Sequence, residues 1–122
     1  MTGAPQPAKS VDATHKLLRT AMLQKSPIAA FYAGHRRLLC PYVLGRNKHN
    51  HLHVLCYQYG GGSSTGLKQS GSPDNWRCIA VDKLSRVEII DGPWQSAERH
   101  SRVQTCIEHV ELDAEKPPFL VR

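Results

Sequence analysis

Apolar residues follow two different rhythms along this chain. Between Val11 and Lys25, Leu17, Leu18, Ala21 and Met22 recur at helical spacing, and Ser10 stands where an N-cap belongs. The spacing predicts a helix over residues 11–25. Ser26-Pro27 ends it, because the residue before a proline avoids the helical region. From Ile28 onward the rhythm changes to alternation, in short runs bounded by turn residues. Strands are predicted at Ile28–Tyr32, Arg37–Leu44, His51–Tyr59, Trp76–Val81 and Arg86–Ile90. In the second, Leu38, Cys40, Tyr42 and Leu44 are expected on one face. In the third, Leu52, Val54 and Cys56 oppose His51, His53, Leu55 and Tyr57.

The connections are read from turn chemistry. Gly34-His35 is a tight turn, Gly45–Asn50 a polar turn, Asp82–Ser85 one helical turn, and Asp91-Gly92-Pro93 a stop. Beyond it, Val103, Ile107 and Val110 fit a helix, whereas Val110 and Leu112 among acids fit a strand. An extended segment over Gln104–Asp113, lying along the barrel, is the expectation. The pattern gives a mainly β (α+β) fold: a small five-stranded Sm-like barrel preceded by one helix. Residues 1–9 are expected as a flexible tail, 10–92 as the domain (helix 11–25, barrel 27–91), and 93–122 as an acidic extension with a loose end from Pro117.

Composition fits one soluble domain: 122 residues, 40% hydrophobic and 21% charged. No apolar run approaches the ~20 residues of a membrane span, and the Pro/Ala-rich start has no apolar signal core. A cytoplasmic protein without a membrane partner is expected. The net charge of +6 is unevenly spread. His15 to Arg86 carries eleven Lys/Arg and only Asp74 and Asp82 as acids, whereas Val87 to Arg122 carries four Lys/Arg against seven acids. A basic field of this kind concentrates phosphate-bearing partners, although charge alone also fits a merely solvated face.

Cys40, Cys56, Cys78 and Cys106 form no CxxC pair and fit no common zinc spacing. They are expected to be reduced, buried, small hydrophobes. His49, His51 and His53 alternate and could share one strand face, a spacing able to hold zinc or copper. They lack a fourth ligand, so neither metal nor cofactor is expected. The Gly60–Asn75 loop lacks the Gly-Lys-Ser/Thr ending of a phosphate loop and reads as a floppy hairpin connection. No nucleophile, base and acid stand together, so an enzyme is not expected.

Tyr32, Arg37, Pro41, Tyr42 and Leu44, followed by Arg77, Ile79, Val81, Asp82, Lys83, Leu84 and Val87, resemble in order and spacing the WYL domain, a ligand-binding module of bacterial transcription regulators. The similarity runs from about Leu17 to Ile90. Lys83 replaces the usual arginine, and Leu52-His53-Val54 stands where the family has Trp-Tyr-Leu, so contacts made through that tyrosine would fall to His53. One helix ahead of the strands leaves no room for a helix-turn-helix, so the chain looks like a stand-alone WYL-like domain. The resemblance implies a non-catalytic sensor of a nucleic acid or nucleotide, and a regulatory protein partner.

On this basis Arg36, Arg37, Tyr42, His53, Arg77 and Lys83 are the candidate ligand-binding residues. Arginine grips phosphate through a planar fork, and Tyr42, Tyr57 and Trp76 could stack on bases or simply pack in the core. Arg37 is expected to point outward, and Arg37 and Arg77 to lie on neighbouring strands of one basic face. The alternatives are a metal-binding protein using His49, His51 and His53, and an interaction module whose acidic tail docks a basic partner.

Overall fold

A computed structural model describes residues 10–63, 66–68, 71–95 and 106–116. The expected tails, 1–9 and from Pro117, lie outside these residues. Helix α1 spans Val11–Gln24. Ser10 caps it by accepting a hydrogen bond from the Ala13 amide, and Lys25 closes it in the left-handed conformation, its amide bonding the Ala21 and Met22 carbonyls. Six strands follow: β1 Ile28–Tyr32, β2 His35–Arg46, β3 Leu52–Gly61, β4 Trp76–Ala80, β5 Ser85–Ile89 and β6 His109–Asp113.

They form one antiparallel sheet in the order β4-β3-β2-β1-β5, with β6 also paired to β2. The fold is therefore mainly β with one N-terminal helix, as expected. Among the described residues the strands number six rather than five, and the sheet is not closed, with no pairing of β4 with β5. The sixth strand lies within the segment expected to be extended; residues 104 and 105 lie outside the description.

β2 organises the sheet. β3 pairs along it from Arg37 to Arg46. On its other edge β1 pairs up to Leu39, and β6 takes over from Val43. Pro41, which has no N–H to give a ladder, falls in the gap between them, and the β3 register shifts between Pro41 and Val43. That shift, with another between Leu38 and Leu39, overturns the simple alternation expected for β2. Leu39 and Leu44 face the main core, while Cys40, Tyr42 and Val43 face the opposite side.

The outermost strands of the path, β4 and β5, are joined only by a short 3₁₀ turn, Val81–Lys83, and Leu84. So short a link forces the sheet to curl. The main core draws Ile28, Leu39, Val54, Ile79 and Val87 from all five strands of the path, with Leu18, Ala21 and Met22 of α1. A second core on the other side contains Cys40, Tyr42, Leu55, Tyr57 and Ile107, with Trp76, Trp94 and Cys106 half-buried against it. Its rings meet closely: Tyr42 lies 5.1 Å from Trp76 and 4.8 Å from Trp94, and Tyr57 lies 5.0 Å from Trp76.

The cysteines divide. Cys40 and Cys56 are free and buried, as expected. Cys78 and Cys106 instead form a disulfide, their Cα atoms 6.5 Å apart. Cys78 pairs across from Leu55 of the second core, and its side chain is exposed rather than buried. The 60–75 loop is also firmer than expected where it is described. Gly60 and Gly61 belong to β3, and buried Asn75 exchanges two hydrogen bonds with the backbone of Lys68.

Gly45 lies where β6 crosses β2. A Cβ there would collide with the His109 carbonyl oxygen and lie 2.7 Å from Cγ2 of Ile107. Gly45→Ala should push β6 outward and lower stability by about 1–3 kcal/mol, as overpacking does. A urea unfolding midpoint equal to that of the parent protein would contradict this account of β6.

Candidate functional site

Two hollows meet at Lys83. The larger, about 610 Å³, lies between the start of α1, the β2–β3 turn and the β4–β5 turn. Its polar lining includes His15, Arg46, His51, His53 and Lys83, with Asp12 and Asp82 as its acids. The smaller, about 340 Å³, is lined by Phe31, Tyr32, Ala33, Gly34, Lys83, Ser85 and Arg86, and contains no carboxylate.

Local backbone builds these walls. Asn47 accepts hydrogen bonds from the His49 and His51 amides, each 2.9 Å, which folds the β2–β3 turn back on itself. Arg46 donates to the Asn50 carbonyl at 3.1 Å, and Nδ1 of His53 lies 3.2 Å from the His51 carbonyl. Across the hollow, Nε2 of His15 sits 2.9 Å from Glu111 of β6, whose carboxylate also takes Arg19 at 2.6 Å. This charge cluster ties α1 to β6.

At the smaller hollow, Ala33 (φ 50°) and Gly34 (φ 81°) form the two-residue turn between β1 and β2. Arg86 (φ 51°) marks the irregularity where β5 slips against β1, and its guanidinium lies 5.4 Å from the centre of the Phe31 ring. Ala33, Asn50 and Arg86 are three of the four non-glycine residues with positive φ among the described residues. All three line one hollow or the other.

Of the six candidate residues, His53 and Lys83 share the larger hollow, while Arg77 comes near enough to Arg37 to act on its charge but lines neither hollow. Arg36 is exposed on β2, and its charge partly offsets the rise that burial and Cys40 impose on the Tyr59 pKa. Tyr42 is not a stacking surface. It is buried in the second core, with its hydroxyl donated to the Gln95 carbonyl at 3.0 Å. Arg77 is half-buried and donates to the Asp74 carbonyl at 2.6 Å. β3 separates it from Arg37, so the two are not on neighbouring strands.

Arg37 does not point outward. It is 3% exposed, donates to the Tyr32 carbonyl at 3.1 Å and to Oε1 of Gln58 at 3.2 Å, and lies 4.9 Å from the centre of the Tyr32 ring. Gln58, fully buried, in turn donates to the Gly60 and Gly62 carbonyls. Gly61 permits this wrap: its φ is +82°, and a Cβ there would strike the Arg36 carbonyl oxygen. Burial and the nearby charge of Arg77 lower the Arg37 pKa, partly offset by Tyr32.

The histidine alternation is also broken. His49 belongs to the turn and only His53 lies in β3. Among the described residues no group of three His, Cys, Asp or Glu is placed to hold a metal ion. His15, Arg46 and Arg86 escaped notice in the sequence because no local motif marks them; His15 is one α1 residue among several polar ones. Comparison with family models, with curated proteins and with solved structures finds no match.

Arg37 is therefore structural, tying the end of β1 at Tyr32 to Gln58 of β3. Arg37→Ala should cost about 1–3 kcal/mol of stability, because it leaves Gln58 and the Tyr32 carbonyl short of a buried partner. Unchanged stability on chemical denaturation would restore Arg37 as a surface residue.

Proposed function

We propose that the chain is a non-enzymatic, WYL-like binding domain that takes a phosphate-bearing ligand, a single-stranded nucleic acid or a nucleotide, across the two hollows that meet at Lys83. One observation carries the proposal. Lys83 and Arg86 flank a hollow without carboxylates whose other wall is Phe31 and Tyr32. Cations there would meet phosphate and the rings would meet a base, the combination that single-stranded nucleic acid sites use. The larger hollow would receive the neighbouring nucleotide beside Arg46 and the histidines.

A binding role fits the thiols as well. Burial holds Cys40 up at about 11 and raises Cys56 further, so neither is a ready nucleophile. The Sm-like barrel belongs to this proposal and is supported by the leading helix and by the short turn that links the two outer strands. No helix among the described residues is long and apolar enough to cross a membrane. The Cys78–Cys106 bond argues against the cytoplasmic placement expected from the sequence, because disulfides persist mainly in oxidising surroundings.

Fluorescence anisotropy with a labelled single-stranded oligonucleotide tests the proposal. Affinity should fall steeply with salt. Lys83→Ala and Arg86→Ala should each weaken binding about tenfold, the loss of roughly 1.4 kcal/mol, and should flatten the salt dependence. Arg77→Ala, outside both hollows, should bind as the parent does. Equal affinity in all four proteins would remove Lys83 and Arg86 from the site.

A further inference from the structure

The Cys78–Cys106 disulfide spans the second core. Cys78 lies on outer strand β4, opposite Leu55 of β3. Cys106 packs against the same core and adjoins Ile107, which is buried in it. Beyond Ile107 the chain enters β6, which pairs with β2 on the far side of β3. The bond thus straps the start of the β6 segment over Leu55 and its aromatic neighbours, joining elements that share no strand pairing. Other contacts hold β6 itself: the Glu108 amide donates to Arg46, the Ala114 amide donates to Tyr42, and Glu111 is bound by His15 and Arg19. Opening the disulfide would therefore release the Cys106 end of the strap from β4 while Ile107 stays packed and β6 stays paired.

The two cysteines differ in exposure. Cys78 is exposed on a sheet edge, whereas Cys106 is half-buried against the aromatic cluster. Exposed disulfides are the labile, exchangeable ones, and exchange begins at the sulfur a thiolate can reach. We propose that Cys78 is a thiol-exchange site through which small-molecule thiols of the glutathione class control the cover of the second core. The incoming thiolate bonds to Sγ of Cys78, the Cys78–Cys106 bond breaks, and Cys106 leaves as a thiolate that takes a proton from water. A second thiolate then attacks the mixed disulfide at its glutathione sulfur, freeing Cys78 as a thiol and releasing oxidised glutathione. Cys40 and Cys56 stay out of the exchange because both are buried and their thiols resist ionisation.

The protein contains an internal reporter, since its two tryptophans, Trp76 and Trp94, both pack against the second core. The folded protein is equilibrated across ratios of reduced to oxidised glutathione, then acid-quenched, counted for thiols after denaturation, and peptide-mapped. Oxidising ratios should leave two thiols and reducing ratios four. Tryptophan emission should move to longer wavelength along the same titration while the far-ultraviolet circular dichroism is retained. The intermediate adduct should map to Cys78. A Cys78→Ser/Cys106→Ser protein should show the reduced emission at every ratio. Four thiols under oxidising ratios, an adduct on Cys106, emission indifferent to the titration, or loss of the β signal on reduction would each overturn the proposal.

Discussion

Everything in this fold depends on β2 being paired along both edges through a bend at Pro41. A straight stretch from Arg36 to Gly45 would be about 30 Å long at ~3.3 Å per residue. Yet the β1–β2 turn at one end and the β2–β3 turn at the other both reach hollows that Lys83 lines. Only a strongly curled sheet brings those ends together. The curl needs a place where the ladder is relaxed, and Pro41 supplies it: β1 has ended, β6 has not begun, and the β3 register slips by the next residue. A proline elsewhere in a doubly paired strand would leave a neighbouring carbonyl without its donor.

The same bend divides the apolar side chains between two cores. Before the shift Leu39 faces inward; after it Leu44 does, five positions on, which strict alternation forbids. The residues between, Cys40 and Tyr42, are turned to the far side, where Trp76, Trp94 and Tyr57 surround them. A sheet wrapped around one core would leave these rings in water. The segment from Cys106 to β6 covers them instead, and Glu111 fastens that segment to α1 through His15 and Arg19. The charged C-terminal stretch thus holds His15, one of the residues that line the larger hollow.

Much of this was legible in the sequence because the signals were local. The Ser10 cap, the Pro27 stop and the alternation of β3 needed no distant partner, and helix and strands lie within a residue or two of their expected places. Apart from the histidine alternation, broken by the local Asn47 turn, the errors came from long-range geometry. Alternation said Arg37 should face water, but a buried Gln58, twenty-one residues on, offered a partner that no local pattern announces. The bond between Cys78 and Cys106, twenty-eight residues apart, needed knowledge of which way the chain returns. His53 and Lys83 stand out in the sequence, whereas His15, Arg46 and Arg86 join them only through the curl. The resemblance weighted Arg37, Arg77 and Tyr42, and the fold uses those side chains for its own bonds and packing.

The central claim is that the curl assembles one phosphate-binding surface around Lys83. Amide chemical-shift mapping of isotopically labelled protein, titrated with a short single-stranded oligonucleotide, tests it most directly. The account predicts perturbations that cluster at Phe31–Gly34, Arg46–His53 and Lys83–Arg86 and saturate together, because they report one site. Perturbations centred on Arg36 or Arg77, or none at all at saturating oligonucleotide, would contradict it.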